Sequence, residues 1–170
     1  MKRFMLVVVL FVFTTFAYSQ KSICGVDFGS SYEAAKSILE GKFGKADSYE
    51  NNKLYYYDRE YAGFGFDAII FTFQSDGYNT YFNDCFFGCK FTDITLAKQF
   101  HNILLTKLCA KYSYPRIGAD ENGLPWAIGG KSPVSGYEPG YHLFMEKDDK
   151  DKSYYVCLGY GPYNYVNEEF

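Results

Sequence analysis

Three consecutive segments rich in aromatic and β-branched residues constrain the fold more than any other feature of the chain. They cover residues 54–59, 64–74 and 80–91, and such side chains are enriched in strands. The linker between the last two segments contains Asp76-Gly77, a pair that commonly forms the turn of a β-hairpin. The sequence therefore predicts antiparallel strands through most of this region.

The middle segment changes its alternation near Ala68. Phe64 and Phe66 would share one face of a regular strand with Ala68, whereas Ile69 and Phe71 would lie on the opposite face. Apolar residues on both faces indicate either a β-bulge near Ala68 or a strand that is covered on both sides.

A first amphipathic helix is predicted before these strands, over residues 31–42. Ser30 is placed to cap it, and Glu33 completes the spacing of a capping box. Apolar residues then recur at helical spacing, and Gly44 marks the end because glycine adopts the left-handed conformation that closes many helices.

A second, longer helix is predicted after the strands, capped by Thr92 or Asp93 and ending before Pro115. Two further strands, over residues 141–147 and 153–160, form a predicted hairpin with a polar tip. The fold class expected is α+β: an antiparallel sheet with two helices packed on one face, in the order helix, strands, helix, strands.

The start of the chain has the three-part pattern of a secretory signal peptide. Two basic residues precede an apolar run over residues 4–13, and small residues stand at positions 17 and 19. The run is shorter than the roughly 20 apolar residues of a membrane anchor, and no other stretch is long enough to span a bilayer. We therefore expect a signal peptide over residues 1–19, a single domain over 20–170, and a secreted or periplasmic protein.

The charge of the chain disfavours nucleic acid as a partner. The formal net charge is −3, and loss of the two positive charges of Lys2 and Arg3 with the signal peptide takes it to −5. Nucleic-acid-binding domains carry a basic patch instead.

Five cysteines remain after cleavage, and an exported chain can oxidise them into one or two disulfides. An odd count leaves at least one thiol unpaired within the chain. On a regular strand, Cys85 and Cys89 would lie about 13 Å apart, too far to bond to each other. A bond from Cys109 to Cys85 or Cys89 would tie the second helix to the sheet. The cysteines are Cys24, Cys85, Cys89, Cys109 and Cys157.

Catalytic and metal-binding patterns are weak. His101 and Cys109 are two helical turns apart, Cys85 and Cys89 form at most half a zinc site, and the acidic hairpin tip lacks the spacing of a calcium loop. No phosphate- or dinucleotide-binding glycine motif occurs, so no cofactor is expected. A small secreted hydrolase would need carboxylates that meet only in the folded chain; the candidates are Asp58, Glu60, Asp67 and Asp84.

Exposed aromatic side chains are the best candidates for a binding surface, because Tyr and Trp combine apolar area with a polar tip. On an open sheet face they would favour a protein partner, whereas a coplanar set in a groove would favour a glycan. The residues singled out are Tyr55, Tyr57, Trp126, Tyr141 and Tyr160.

The stretch FGSSYEAAKSILEGKFGKAD, a capped short helix with a glycine stop before antiparallel strands, resembles the helix-plus-sheet unit of β-lactamase-inhibitor-protein-like domains and of small outer-membrane assembly lipoproteins. The resemblance covers residues 28–73, with a fainter echo from residue 91. It implies an exported, non-catalytic α+β module of a bacterial envelope or secretome that binds other proteins or envelope components.

Overall fold

The computed structural model describes residues 21–112, 115–131 and 140–162. The predicted signal peptide, residues 1–19, lies outside the described residues. The elements are β1 (Ser22–Ile23), β2 (Val26–Asp27), α1 (Tyr32–Phe43), β3 (Ser48–Glu50), β4 (Lys53–Tyr61), β5 (Phe64–Ser75), β6 (Thr80–Phe91), α2 (Ile94–Lys111), β7 (Arg116–Ala119), β8 (Pro125–Gly129), β9 (Tyr141–Asp148) and β10 (Ser153–Tyr160).

Eight of the strands form one antiparallel sheet in the order β3-β4-β5-β6-β10-β9-β8-β7. A large antiparallel sheet with two helices is therefore confirmed. The predicted element order is wrong, because the β1–β2 hairpin precedes α1. Its strands are two residues long, too short to show any periodicity. Its turn places Cys24 and Gly25 at φ 57° and 89°.

The inner face of the sheet, on which the helices lie, is the core of the domain. Its central row runs across six strands, and every member is at most 6% exposed. The row consists of Tyr56, Ile69, Phe87, Leu158, Leu143 and Ala127, each paired with the next.

The predicted change of alternation in β5 is confirmed, since Phe66 and Ile69 are both buried. The neighbouring strand β4 changes phase at the same level, between buried Tyr56 and half-buried Arg59. Asp58 lies between them with φ 53°. A second irregularity, between Thr72 and Phe73, shifts the register of β5 against β6.

Helix α1 begins one residue later than predicted. The N-cap is Ser31, whose hydroxyl accepts from the Ala34 amide at 3.4 Å. The backbone of Ser30 is already paired, its amide with Asp27 and its carbonyl with Phe82, so Ser30 ties the helix start to β2 and β6.

Helix α2 begins at the predicted Asp93 cap, whose carboxylate accepts from the amides of Thr95 and Leu96. Its apolar side packs on the inner face. Phe100 contacts Phe64 and Phe66 at ring-centroid distances of 5.9 and 6.2 Å. On α1, Phe43 makes the corresponding contacts with Tyr56 and Phe71 at 5.4 and 6.2 Å. No helix among the described residues has the length and apolarity needed to cross a membrane.

Both ends of the sheet are short strands, of three residues in β3 and four in β7. Most of β4 extends beyond β3, so part of its backbone has no strand partner on that side. A local polar network binds the backbone amide and carbonyl of Tyr57 there. The Asp47 carboxylate accepts from the Tyr57 amide at 2.8 Å. Arg59 donates to the Tyr57 carbonyl, to Asp47, and to the last carbonyl of α1 at Phe43. This network closes one edge of the sheet and joins it to α1.

Replacing Arg59 by Met should lower the free energy of unfolding by about 1–2 kcal/mol. The change removes a side chain that satisfies two backbone carbonyls and a carboxylate, while Met keeps its apolar stem. The Arg59–Asp47 ion pair is itself partly exposed and adds little. Urea denaturation of the variant and of Lys147→Met, whose ion pair with exposed Asp149 serves as the control, measures the difference. Equal stability of the two variants would contradict the bracing role of Arg59.

Candidate functional site

The five aromatic residues singled out in the sequence separate onto two faces of the sheet. Tyr141 and Tyr160 lie on the inner face and are 0% and 7% exposed. Tyr55, Tyr57 and Trp126 lie on the opposite side, here called the outer face, as their strand positions require. Only these three are placed to share one binding surface.

The outer face carries two adjacent rows of mostly apolar and aromatic residues, here called the aromatic band. Each residue is the register partner of the next, so the rows cross the sheet continuously. The first row is Tyr57, Ala68, Gly88, Cys157, Phe144, Trp126 and Gly118. The second row is Tyr55, Ile70, Phe86, Gly159, His142, Ile128 and Arg116.

Glycines let two aromatic rings of the band lie close to the backbone of the sheet. A Cβ at Gly159 would lie 2.8 Å from the Phe86 ring, and one at Gly118 would lie 2.3 Å from the Trp126 ring. Both rings therefore lie against the backbone of a neighbouring strand. Phe86 remains 40% exposed and Tyr57 45% exposed. In the described residues, the ring contacts of both helices go to inner-face side chains, and none reaches the aromatic band.

Charged groups of both signs border the aromatic band. Lys90 forms an ion pair with Asp151 and lies 5.6 Å from the Tyr155 ring centroid. Asp67 accepts from the Lys90 amide at 2.6 Å. Burial raises the pKa of the Asp84 carboxyl, against hydrogen bonds that lower it. The border thus favours neither a polyanion nor a polycation.

All five cysteines are free thiols in the structure. Burial raises the pKa of Cys24 to about 12, of Cys89 to about 11 and of Cys157 to about 12, so these thiols stay protonated and unreactive at neutral pH. Cys85 is fully buried and Cys109 is exposed on α2. The predicted bond of Cys109 to Cys85 or Cys89 is not formed, and oxidation after export stays a prediction.

The residues weighed as catalytic candidates lie in separate environments. His101 is 0% exposed in the core, whereas Cys109 is exposed. Asp67 accepts from the Lys90 backbone amide, and Asp84 accepts from the Asn83 side-chain amide. Asp84 is paired with Thr72, five residues from Asp67 along β5, which corresponds to about 17 Å. In the described parts of the chain, no group of three or more His, Cys, Asp or Glu is placed to hold a metal ion.

The sequence did not indicate a cleft of about 700 Å³ at the start of α1, here called the tyrosine cleft. It is lined by Tyr32, Tyr49, Tyr78, Tyr81, Glu33, Asp76 and Asn79, among others. Tyr32 and Tyr49 lie 5.0 Å apart at 46°, and Tyr78 is 95% exposed. The Asp76 carboxylate accepts from the amides of Tyr78 and Asn79, which holds the loop in place and lowers the Asp76 pKa.

His101 should make stability depend on pH. Its ring is fully buried beside the Leu143 backbone, and neither ring nitrogen has a well-formed hydrogen bond with a described residue. Burial lowers the His101 pKa below its ordinary 6.5. As pH falls through 6.5, the unfolded chain takes up a proton that the folded chain resists, so stability falls. His142 contributes in the same direction.

Urea denaturation between about pH 7.5 and about pH 5 measures this loss of stability. We expect it to shrink in His101→Met and to persist in large part in His142→Gln. A His101→Met variant with the full pH dependence of the parent would exclude His101 as its source.

Comparisons with protein-family models, with curated proteins and with solved structures found no significant match for this chain. The resemblance of residues 28–73 to envelope modules therefore stays a prediction.

Proposed function

We propose that the chain is an exported, non-catalytic binding module that recognises a protein partner through the aromatic band of the outer face. The observation that carries the proposal is the continuity of the two rows across the sheet, with no described helix packed on them. Export rests on the signal-peptide pattern of residues 1–19.

The size of the band suits the central part of a protein interface. Its rows cross seven strands, and six spacings of about 4.8 Å make them about 29 Å wide. Two outward rows extend about 14 Å along the strands, which gives a face of roughly 400 Å². A standard protein interface covers roughly 800 Å² on each partner, so the band would form about half of one side and its polar border would complete it.

The chemistry of the band points to a partner with a flat, apolar surface and a polar border. Phe86 and Trp126 lie against the backbone at Gly159 and Gly118, so they offer apolar area close to the surface of the sheet. Aromatic side chains in such positions supply much of the binding energy in protein interfaces. Strand addition is disfavoured, because both edge strands are short and Asp47 and Arg59 bind the backbone of β4 beyond β3.

Site-specific photo-crosslinking tests the proposal. A photoreactive phenylalanine analogue replaces Phe86 on the outer face or, as a control, Ile103, which is 51% exposed on α2. The proposal expects an adduct of one discrete protein from position 86 and none from position 103 in the native cellular setting. The purified partner must then bind the chain and lose affinity about 100-fold for Phe86→Asp. Adducts with a second copy of the chain would mean self-association, and equal adducts from both positions would refute the proposal.

The tyrosine cleft supports a second candidate function, the binding of a neutral glycan. An open cleft that combines tyrosine rings with carboxylate and amide groups offers both stacking and hydrogen bonds to a sugar. A glycan array read with the parent chain and with Tyr49→Ala and Tyr78→Ala tests this function. Glycan binding at the tyrosine cleft is supported if the parent chain gives signals that both tyrosine variants lose and that Phe86→Ala keeps.

A further inference from the structure

A second concave site lies on the inner side of the sheet, between α2 and the β4–β5 hairpin. It is a cavity of about 160 Å³, here called the α2 cavity. Phe66, Phe87 and Leu158 form its floor, and Leu104 and Leu108 of α2 form one wall. All five are less than 7% exposed, so this part of the cavity lies in the core.

The size and lining of the α2 cavity limit what it can hold. Apolar cavities of about 150 Å³ are large enough to bind benzene, and they exclude water when their walls offer no polar partner. One aromatic ring is therefore the largest rigid group that the α2 cavity accepts. The ring of Tyr61 stacks on Phe87 at 5.2 Å and 19°, so an aromatic wall is already in place.

The mouth of the cavity is basic. Lys107 and Lys111 line it from α2, four residues apart and so on the same side of the helix. Lys42 of α1 contacts a lining residue, with its ammonium 5.2 Å from the centroid of the Tyr61 ring. No acidic side chain is among the described residues that line the cavity. This contrasts with the chain as a whole, whose net charge is −3.

Lys111 is exposed on α2 and also contacts an aromatic ring. Its ammonium lies 5.1 Å from the Tyr112 ring centroid, and desolvation lowers the Lys111 pKa. A charge-assisted hydrogen bond from a lysine to a carboxylate is stronger than one between neutral groups. Tyr160, placed by sequence among the binding residues, lines the same cavity and meets the Phe87 ring edge-on at 6.2 Å.

We propose that the α2 cavity binds a small hydrophobic carboxylate, with a single aromatic ring between α2 and the sheet and the carboxylate at Lys107 and Lys111. The site is independent of the aromatic band, which lies on the opposite face, and it requires no catalytic step.

Calorimetric titration of the purified chain with phenylacetate and with phenylacetamide tests this assignment. The two probes have nearly the same shape, but only phenylacetate is charged. Phenylacetate should bind, and phenylacetamide should bind about tenfold more weakly because it lacks the charge-assisted contact. The double variant Lys107→Gln/Lys111→Gln should bind the two probes within about twofold of each other. A matched double variant with exposed lysines elsewhere, Lys45→Gln/Lys98→Gln, should keep the parent's preference.

A cavity-filling variant locates the ring. Leu104→Phe should abolish binding of both probes, because its added volume occupies the space that the ring needs. Three outcomes would each overturn the assignment: no binding of phenylacetate at millimolar concentration, equal affinity of the parent for acid and amide, or a preference for the acid that survives in Lys107→Gln/Lys111→Gln. None of these results bears on crosslinking at the outer face.

Discussion

Replacing Phe71 by Ala should lower the free energy of unfolding by about 3–5 kcal/mol, the range observed when a buried aromatic side chain is deleted from a core. Phe71 is 0% exposed and contacts Phe43, Tyr56 and Phe82 at centroid distances of 5.8–6.2 Å. Because α1 packs on the sheet through Phe43, the cavity left behind would also loosen the helix. Chemical denaturation followed by circular dichroism measures the loss.

Phe86→Ala is the matched control, because Phe86 is also an aromatic residue of the central strands but points to the outer face. It is 40% exposed, and its removal should cost about 1 kcal/mol or less. If Phe86→Ala were as damaging as Phe71→Ala, the outer face would be part of a core, and a free binding surface there would be untenable.

Gly129→Val should destabilise the protein by about 2–3 kcal/mol through overpacking. A Cβ at Gly129 would lie 2.9 Å from the Tyr141 hydroxyl oxygen and 3.1 Å from its ring. Tyr141 is 0% exposed and packs against Tyr112 at 5.1 Å, so it has little room to move aside. Valine suits a strand, so the loss would come from the collision and not from backbone preference.

Gly65→Val separates collision from backbone effects. Gly65 also lies in a strand, but apart from its chain neighbours no atom lies within 4 Å of the place that a Cβ would occupy. The stability of this variant should stay within about 0.5 kcal/mol of the parent or rise slightly, because valine reduces the freedom of the unfolded chain. Thermal unfolding of both variants gives the comparison. A Gly129→Val variant as stable as Gly65→Val would show that Tyr141 moves freely.

The five long strands could be predicted because each carries a local signal. Strands β5 and β6 contain aromatic residues at alternating positions, and turn residues separate them. The break in alternation near Ala68 is also visible in the sequence. The β1–β2 hairpin could not be predicted, because two-residue strands have no period and its packing depends on distant partners.

The candidate site was predicted only in part. The alternation of Tyr141 with Leu143, and of Tyr160 with Leu158, is a local signal that places both tyrosines on the core side of their strands. Aromatic character alone does not separate them from the outer-face residues. The joining of Tyr57 to Trp126 across the outer face has no local signal, because it depends on β10 pairing with β6, some 60 residues away in the chain. The tyrosine cleft and the α2 cavity likewise assemble from segments that are far apart in sequence.

The short border strands β3 and β7 also decide what kind of complex this domain builds. Border strands of three and four residues, together with Asp47 and Arg59 bound to the backbone of β4 beyond β3, leave little template for further copies to extend the sheet sideways. Binding through the outer face alone then stops once one partner covers that face. Assembly should accordingly stop at a closed pair, one module to one counterpart, and not run on into filaments.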